Sequence, residues 1–265
     1  MLALIASKDK AFTPEAARRT GKPVVLLQNG IHAGENGGKD AAMLLLRDIL
    51  VTKKRAGLLD HSIILSIAVF NADGHERQSP YNRINENGPA RMGFRVTAQR
   101  LNLNRDYIKA DAPEMRAWLR LYSAWLPDML VDNHVTDGSD VQYDATIAAH
   151  AEQDIDPRVG AWVGRSYLPR LFGDLDKLGH ITGWYVDGRL PSGALTVMTA
   201  SPRYSTGYAA ARNRAALLVE THSLKSFKTR TWSHFDIMAV TLEAMAATGK
   251  ALHQASIDAD LAMSA

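Results

Sequence analysis

The stretch Pro23-Val24-Val25-Leu26-Leu27-Gln28-Asn29-Gly30-Ile31-His32-Ala33-Gly34-Glu35 decides the fold. Its first five residues form a short apolar run with β-branched side chains, closed off soon afterwards by a glycine, and they read as a buried strand. Beyond Glu35 the chain continues through Asn36-Gly37-Gly38 into an apolar helical pattern, Ala41-Ala42-Met43-Leu44-Leu45-Leu46. Strand, polar turn and helix in that order mark an α/β sheet, whose ligand sites collect at the strand-to-helix edge. His32 and Glu35 stand in that turn. A histidine and a carboxylate there can share one zinc ion if a third ligand arrives from elsewhere. The spacing also arises by chance in many chains, so the pair alone does not define a metal site.

Pro127-Asp128-Met129-Leu130-Val131 is a second short strand pattern, running directly into Asp132-Asn133-His134. His134 lies at or just past that strand's end, before the polar turn Thr136-Asp137-Gly138. A water-exposed loop histidine is the plain alternative. Two strand ends would nevertheless deliver His32, Glu35 and His134 to one edge. Two histidines and a glutamate are a catalytic type of zinc set, with a fourth position left for water. A further apolar run, Ala215-Ala216-Leu217-Leu218-Val219, ends in Glu220. A carboxylate there is costly to bury unless it is paired or used. It is either half of a surface ion pair or a general base next to the metal.

The order His-x-x-Glu, Asn-Arg, strand-borne His and strand-borne Glu resembles the zinc carboxypeptidases of the carboxypeptidase A type. Two further segments support the likeness: Asn71-Ala72-Asp73-Gly74, similar to the family's Asn-Pro-Asp-Gly turn, and Asn102-Leu103-Asn104-Arg105, similar to its Asp-x-Asn-Arg segment. The resemblance runs from about Pro23 to beyond Glu220. It implies one zinc ion on His32, Glu35 and His134, with Glu220 as general base. It also implies a peptide substrate whose free C-terminal carboxylate is held by Asn104 and Arg105, and Arg95 polarising the scissile carbonyl. Arginine suits the first task because its fork meets a carboxylate at two points, and the second because a fixed donor can face developing charge. Arg91, Arg95, Arg100 and Arg105 would otherwise read as a solvated basic face.

Two positions depart from the family pattern. Asn102 replaces an aspartate that would accept a hydrogen bond from a ligand histidine, so tuning of that ligand should be weaker. The place of a mobile tyrosine falls near Met198, with Tyr204 and Tyr208 as nearby candidates for substrate contact. Aspartoacylase-like deacylases share the same residue logic, so cleavage of N-acyl amino acids is the rival activity, and a catalytically silent binding relative is another. His222 could support Glu220 from behind. His61, His75, His150, His180, His234 and His253 lack ligand spacing and read as surface or packing residues.

Composition agrees with one globular domain over residues 1–265. The chain is 46% hydrophobic, enough for a full core. No apolar stretch is long enough to cross a bilayer, and Leu2–Ala6 is too short for a signal-peptide core. A longer parent could still be exported, and comparison with the family implies a chain truncated at its N-terminus. It has no cysteine, and its net charge of +3 is dispersed, which argues against nucleic acid. The expected fold is a central mixed, mostly parallel twisted sheet with helices on both faces. Strands are predicted near 23–29, 62–69, 128–133 and 215–220, and helices near 38–54, 113–125, 157–178 and 232–256. Residues 136–157 are predicted as a long polar connection flanking the site, and 183–207 as loops or a hairpin.

Overall fold

The computed structural model describes residues 2–152 and 154–264. Four parallel strands make the centre of a seven-stranded sheet: β1 is Ala3–Ala6, β2 Val24–Asn29, β3 Ile63–Ile67, β4 Met129–Val135, β5 Ala145–Ala149, β6 Thr182–Trp184 and β9 Ala215–Thr221. Their order is β1-β3-β2-β4-β9-β5-β6, with β3, β2, β4 and β9 mutually parallel and β1 and β5 antiparallel to their neighbours β3 and β9. A separate hairpin joins β7 (Val186–Arg189) to β8 (Leu195–Val197).

The central strands read as unbroken apolar runs because both faces are covered. Side chains alternate between the faces along each strand. Val25 and Leu27 of β2, Met129 and Val131 of β4, and Leu217 and Val219 of β9 pack with α2 (Gly37–Leu50), α5 (Pro157–Trp162), α6 (Leu168–Lys177) and α8 (Phe227–Ser264). Leu26, Leu130 and Ala216 face the other way, against α1 (Pro14–Thr20), α4 (Pro113–Trp125) and α7 (Ser205–Ala211). There Trp118 of α4 is fully buried and stacks on Tyr122 at 4.7 Å. A short α3 spans Ala72–Glu76.

Local signals explain the helix limits. Thr13 Oγ1 accepts from Ala16 N and Pro14 opens α1, while Gly21 closes it at φ 64°. Ser226 Oγ accepts from Thr229 N at 3.1 Å and caps α8, which therefore begins earlier than the apolar pattern alone suggests and runs beyond residue 256.

The structure differs from the sequence expectation in three places. The connection after His134 carries a core strand, β5, lying antiparallel beside β9. The helix expected over 157–178 is α5 and α6 joined by one π-helical turn, Val163–Tyr167. The region 183–207 contains the expected hairpin, but it also contributes the end of β6 and the start of α7. Among the described residues no helix is long and apolar enough to cross a membrane.

Candidate active site

Register brings the site together. In the β4–β9 pair His134 stands opposite Glu220, and β2 lies on the other side of β4. Adjacent strands are only about 4.8 Å apart, so the ends of β2, β4 and β9 converge. Gly30, at φ 64°, turns the chain out of β2, and Glu35 N donates to His32 O at 3.0 Å, folding the His-x-x-Glu segment into one tight turn. Gly34 permits this turn to sit where it does. A Cβ there would lie 2.5 Å from Arg83 Cγ and 2.7 Å from the Gly93 carbonyl oxygen.

His32, Glu35 and His134 are all buried, and one ligand atom from each lies within 4.8 Å of the others. This donor set fits a single cation. His32 Nδ1 is buried with no hydrogen-bond partner among the described residues. His134 Nδ1 and Glu35 Oε2 are 3.0 Å apart, a separation that a proton bridges when no metal does. Glu35 is anchored at both oxygens, with Val135 N donating to Oε2 at 3.0 Å and Arg83 Nη1 3.2 Å from Oε1.

Charge follows from these contacts. Burial pushes the Glu35 carboxyl up, but His32, the hydrogen bond from His134 and Arg83 together bring it well below the usual carboxylate range. Burial alone would lower His134, yet Asp132 and Glu35 outweigh it and hold the imidazole well above its ordinary value. Burial dominates at His32, whose pKa falls to about 3 with His134, Arg95 and Arg83 adding to the drop and Glu35 opposing it. Burial also raises Glu220 to about 8; His134 pulls it down, and Glu35, Asp137 and Asp132 push it further up.

Glu220 opens onto a cavity of about 230 Å³ that is also lined by His32, Glu35, His134, Arg95, Asn104, Arg105 and Tyr204. Arg95 Nη1 reaches to 3.7 Å from Glu35 Oε1. Arg105 Nη1 donates to the Asn104 carbonyl at 2.6 Å, and its guanidinium stacks on Tyr204 at 4.6 Å. Tyr208 is not brought to the cavity. Its ring packs among Tyr107, Trp118 and Tyr122 on the far side of α7. Met198 does line the cavity. His222 does not support Glu220 either: Nε2 lies 2.7 Å from the Val141 carbonyl oxygen and ties down the loop before β5.

Three residues enter that sequence reasoning did not identify. Asp132 lies 3.0 Å from His134 Nε2, is fully buried, and accepts from Ser205 Oγ at 2.5 Å and Gln28 Nε2 at 2.6 Å. Two-residue strand periodicity puts Asp132 and His134 on one face, a signal that was available. Asn102, at the position of the expected tuning residue, spends its side-chain oxygen on Asn104 N at 3.1 Å, while the Asn104 amide lies 3.3 Å from His32 Nε2. In this chain the charged partner, Asp132, thus stands beside His134, and His32 faces the neutral Asn104 amide. Arg83 holds Glu35 through an ion chain that continues to Glu86 and Arg230. Tyr185, at the end of β6, lines the cavity beside Glu220. Neither Arg83 nor Tyr185 has a local signature.

The fold has relatives among solved structures. The chain resembles a metallo-carboxypeptidase from Burkholderia cenocepacia (TM-score 0.63, 14% identity, 91% of this chain and 60% of that one). It also resembles a metallo-carboxypeptidase from Pseudomonas aeruginosa solved with (2-guanidinoethylmercapto)succinic acid (0.63, 15%, 94% and 61%). Carboxypeptidase A from Helicoverpa armigera is a third (0.60, 14%, 94% and 70%). At these identities the likeness shows the fold, and the chain spans about three fifths of the length of the two bacterial proteins. No curated protein matches it significantly. The model of one family, described as zinc carboxypeptidase, matches residues 1–137, which include the His-x-x-Glu turn, the Asn-Arg pair and the strand that carries His134. That match covers more than half of the chain, and the chain belongs to the zinc carboxypeptidase family.

Proposed function

We propose that this protein is a zinc-dependent carboxypeptidase, one catalytic domain that hydrolyses the C-terminal peptide bond of peptides. A single observation carries the reading: one cavity holds a three-residue metal-ligand set, the Glu220 carboxyl and two guanidinium groups. His32, Glu35 and His134 would hold the ion, which when bound makes water more acidic and polarises a carbonyl.

The remaining work falls to the chain's own groups. Glu220 takes a proton from the attacking water and delivers it to the leaving amine. Arg95 lies at the cavity wall and donates to the carbonyl oxygen as negative charge develops there. Arg105 is pre-oriented by Tyr204 and the Asn104 carbonyl, so little side-chain freedom is lost when its fork meets a terminal carboxylate. Asn104 adds a neutral group beside it.

A deacylase of N-acyl amino acids would use the same residues, and a silent binding protein would keep the fold alone. Mass spectrometry separates the three. The zinc-loaded protein is incubated with short peptides and N-acyl amino acids, with and without chelator. Chelator-sensitive loss of single C-terminal residues is the expected result. Exclusive loss of acyl groups would replace the proposal with the deacylase, and the absence of any product from zinc-loaded protein would refute catalysis.

A further inference from the structure

The parallel strands β2, β4 and β9 all start at the edge of the sheet opposite Glu220, and a second cavity of about 310 Å³ lies there. Val24 opens β2, Asp128 immediately precedes β4 and Arg214 immediately precedes β9; all three line it. Along β9 the chain covers about 20 Å between Arg214 and Glu220, so this cavity is separate from the candidate active site. Its size falls within the range of small-molecule sites, about 300–1,000 Å³. Val24, Trp125 at the end of α4 and Ile257 of α8 give it an apolar wall.

The polar wall has its acceptors occupied and its donors open. Asp128 accepts from Val24 N at 2.8 Å and from His253 Nδ1 at 3.0 Å. Asp260 accepts from Asn213 Nδ2 at 3.1 Å and, at its two oxygens, from Arg214 Nη1 at 3.0 Å and Nη2 at 2.6 Å. Each carboxylate oxygen therefore has a donor. By contrast, Ser256 Oγ and Arg214 Nε are buried with no hydrogen-bond partner among the described residues, on side chains whose residues are only 1% and 4% exposed. His253 turns Nδ1 to Asp128, and its Nε2 makes no hydrogen bond to the described residues. The bond to Asp128 raises the His253 pKa, with burial and Arg214 opposing, and this favours an N–H at Nε2. His253 and Ser256 are three residues apart on α8 and so share a face. Charge points the same way. Arg18, Lys22, Arg214 and His253 line the cavity against only Asp128 and Asp260, and the partners of Arg18 and Lys22, Glu15 and Asp9, lie outside it.

Open donors call for an acceptor, surplus positive charge for an anion, and the apolar wall for a hydrocarbon body. We propose that this cavity is a second binding site, for a small organic carboxylate with an apolar body. The carboxylate accepts from Ser256 and His253, and the body lies against Trp125. The assignment uses no residue of the candidate active site and stands whether or not the protein cleaves peptides. Losing one hydrogen bond to such a ligand corresponds to about a tenfold change in affinity.

The test titrates phenylpropionate into isotope-labelled, zinc-loaded protein and follows the backbone amide signals by NMR. Saturable shifts are expected over residues 252–260 and around Ala17, with a dissociation constant of about 1 mM or tighter. Phenylpropylamine, the same body with a positive charge, should bind at least about tenfold more weakly. Ser256→Ala and His253→Gln, checked for folding by circular dichroism, should each weaken phenylpropionate about tenfold. Ile257→Glu sets a negative charge at a more exposed point of the same wall and should weaken it similarly, so the site remains testable if a buried variant does not fold. L-Phenylalanine separates two sources of the carboxylate: binding as tight as phenylpropionate assigns the site to free amino acids, and weaker binding assigns it to acids without an amine. Shifts confined to the surroundings of Arg105 and Glu220 would overturn the proposal by placing the carboxylate in the other cavity. Equal binding of the amine, unchanged affinity in the folded variants, or no saturable shift up to about 10 mM would overturn it as well.

Discussion

Substituting Asp132 with asparagine isolates the charge that this chain places behind His134. The aspartate is fully buried, with His134 Nε2 at 3.0 Å, Ser205 Oγ at 2.5 Å and Gln28 Nε2 at 2.6 Å. Asparagine keeps the shape and one acceptor oxygen. That oxygen can still serve Ser205 and His134, and the new NH2 would then face the Gln28 amide. Gln28 can turn to meet it, because its Oε1 is buried without a partner among the described residues. Folding should therefore survive. What disappears is the negative charge that orients the His134 ring and raises its basicity, and loss of such a partner costs about 10–100-fold in metal affinity, or about 1.4–2.8 kcal/mol. Competition against a chelator of known zinc affinity, with circular dichroism as a check on folding, measures the change. Asn102→Asp is the informative companion. Asn102 is occupied with Asn104 N, so adding charge there should shift zinc affinity by no more than about twofold. A folded Asp132→Asn protein that binds zinc within twofold of wild type would refute the reasoning, and a large gain from Asn102→Asp would show that position 102 can tune the site as well.

The pH dependence of metal binding follows from the same contacts. His134 is protonated in the metal-free protein, held there by Asp132 and Glu35, whereas His32 is already neutral. Zinc should displace about one proton and bind up to about tenfold tighter per pH unit across the neutral range; calorimetry in buffers of different ionisation enthalpy would detect it, and a pH-independent affinity would contradict it. A second pH effect concerns stability away from the site. The hydrogen bond from His253 to Asp128, at 3.0 Å, raises the His253 pKa, with burial opposing. A raised histidine stabilises fully below its unfolded value and loses that contribution as pH climbs through the folded one. His253→Gln should thus lower the melting temperature more at about pH 5.5 than at about pH 9. An equal or larger loss at the alkaline end would rule out the linkage.

The strands that deliver His32, His134 and Glu220 were legible because each is an apolar run buried on both faces and ended by a polar residue. The pairing of His134 with Glu220 follows once those strands are neighbours. β5 was not legible, since Ala145-Thr146-Ile147-Ala148-Ala149 has a single large apolar side chain and alanine has no preference for strands. Tyr208 illustrates a different failure. Proximity in sequence to the site could not tell which side of α7 its ring would take, and Trp118 and Tyr122 claim it for the core. Arg83 and Tyr185 act on Glu35 and the cavity across long sequence separations, and no local pattern encodes such contacts. Asp132 was the avoidable omission, because strand periodicity alone puts it beside His134.

The most direct test of the account is turnover by zinc-loaded Glu220→Gln protein beside zinc-loaded wild type on the same short peptide, with bound zinc quantified in both. The account predicts one zinc ion per chain in each protein, release of the C-terminal residue by wild type, and loss of turnover in Glu220→Gln by at least about 10²-fold. Comparable turnover by the two proteins at equal zinc content would contradict it.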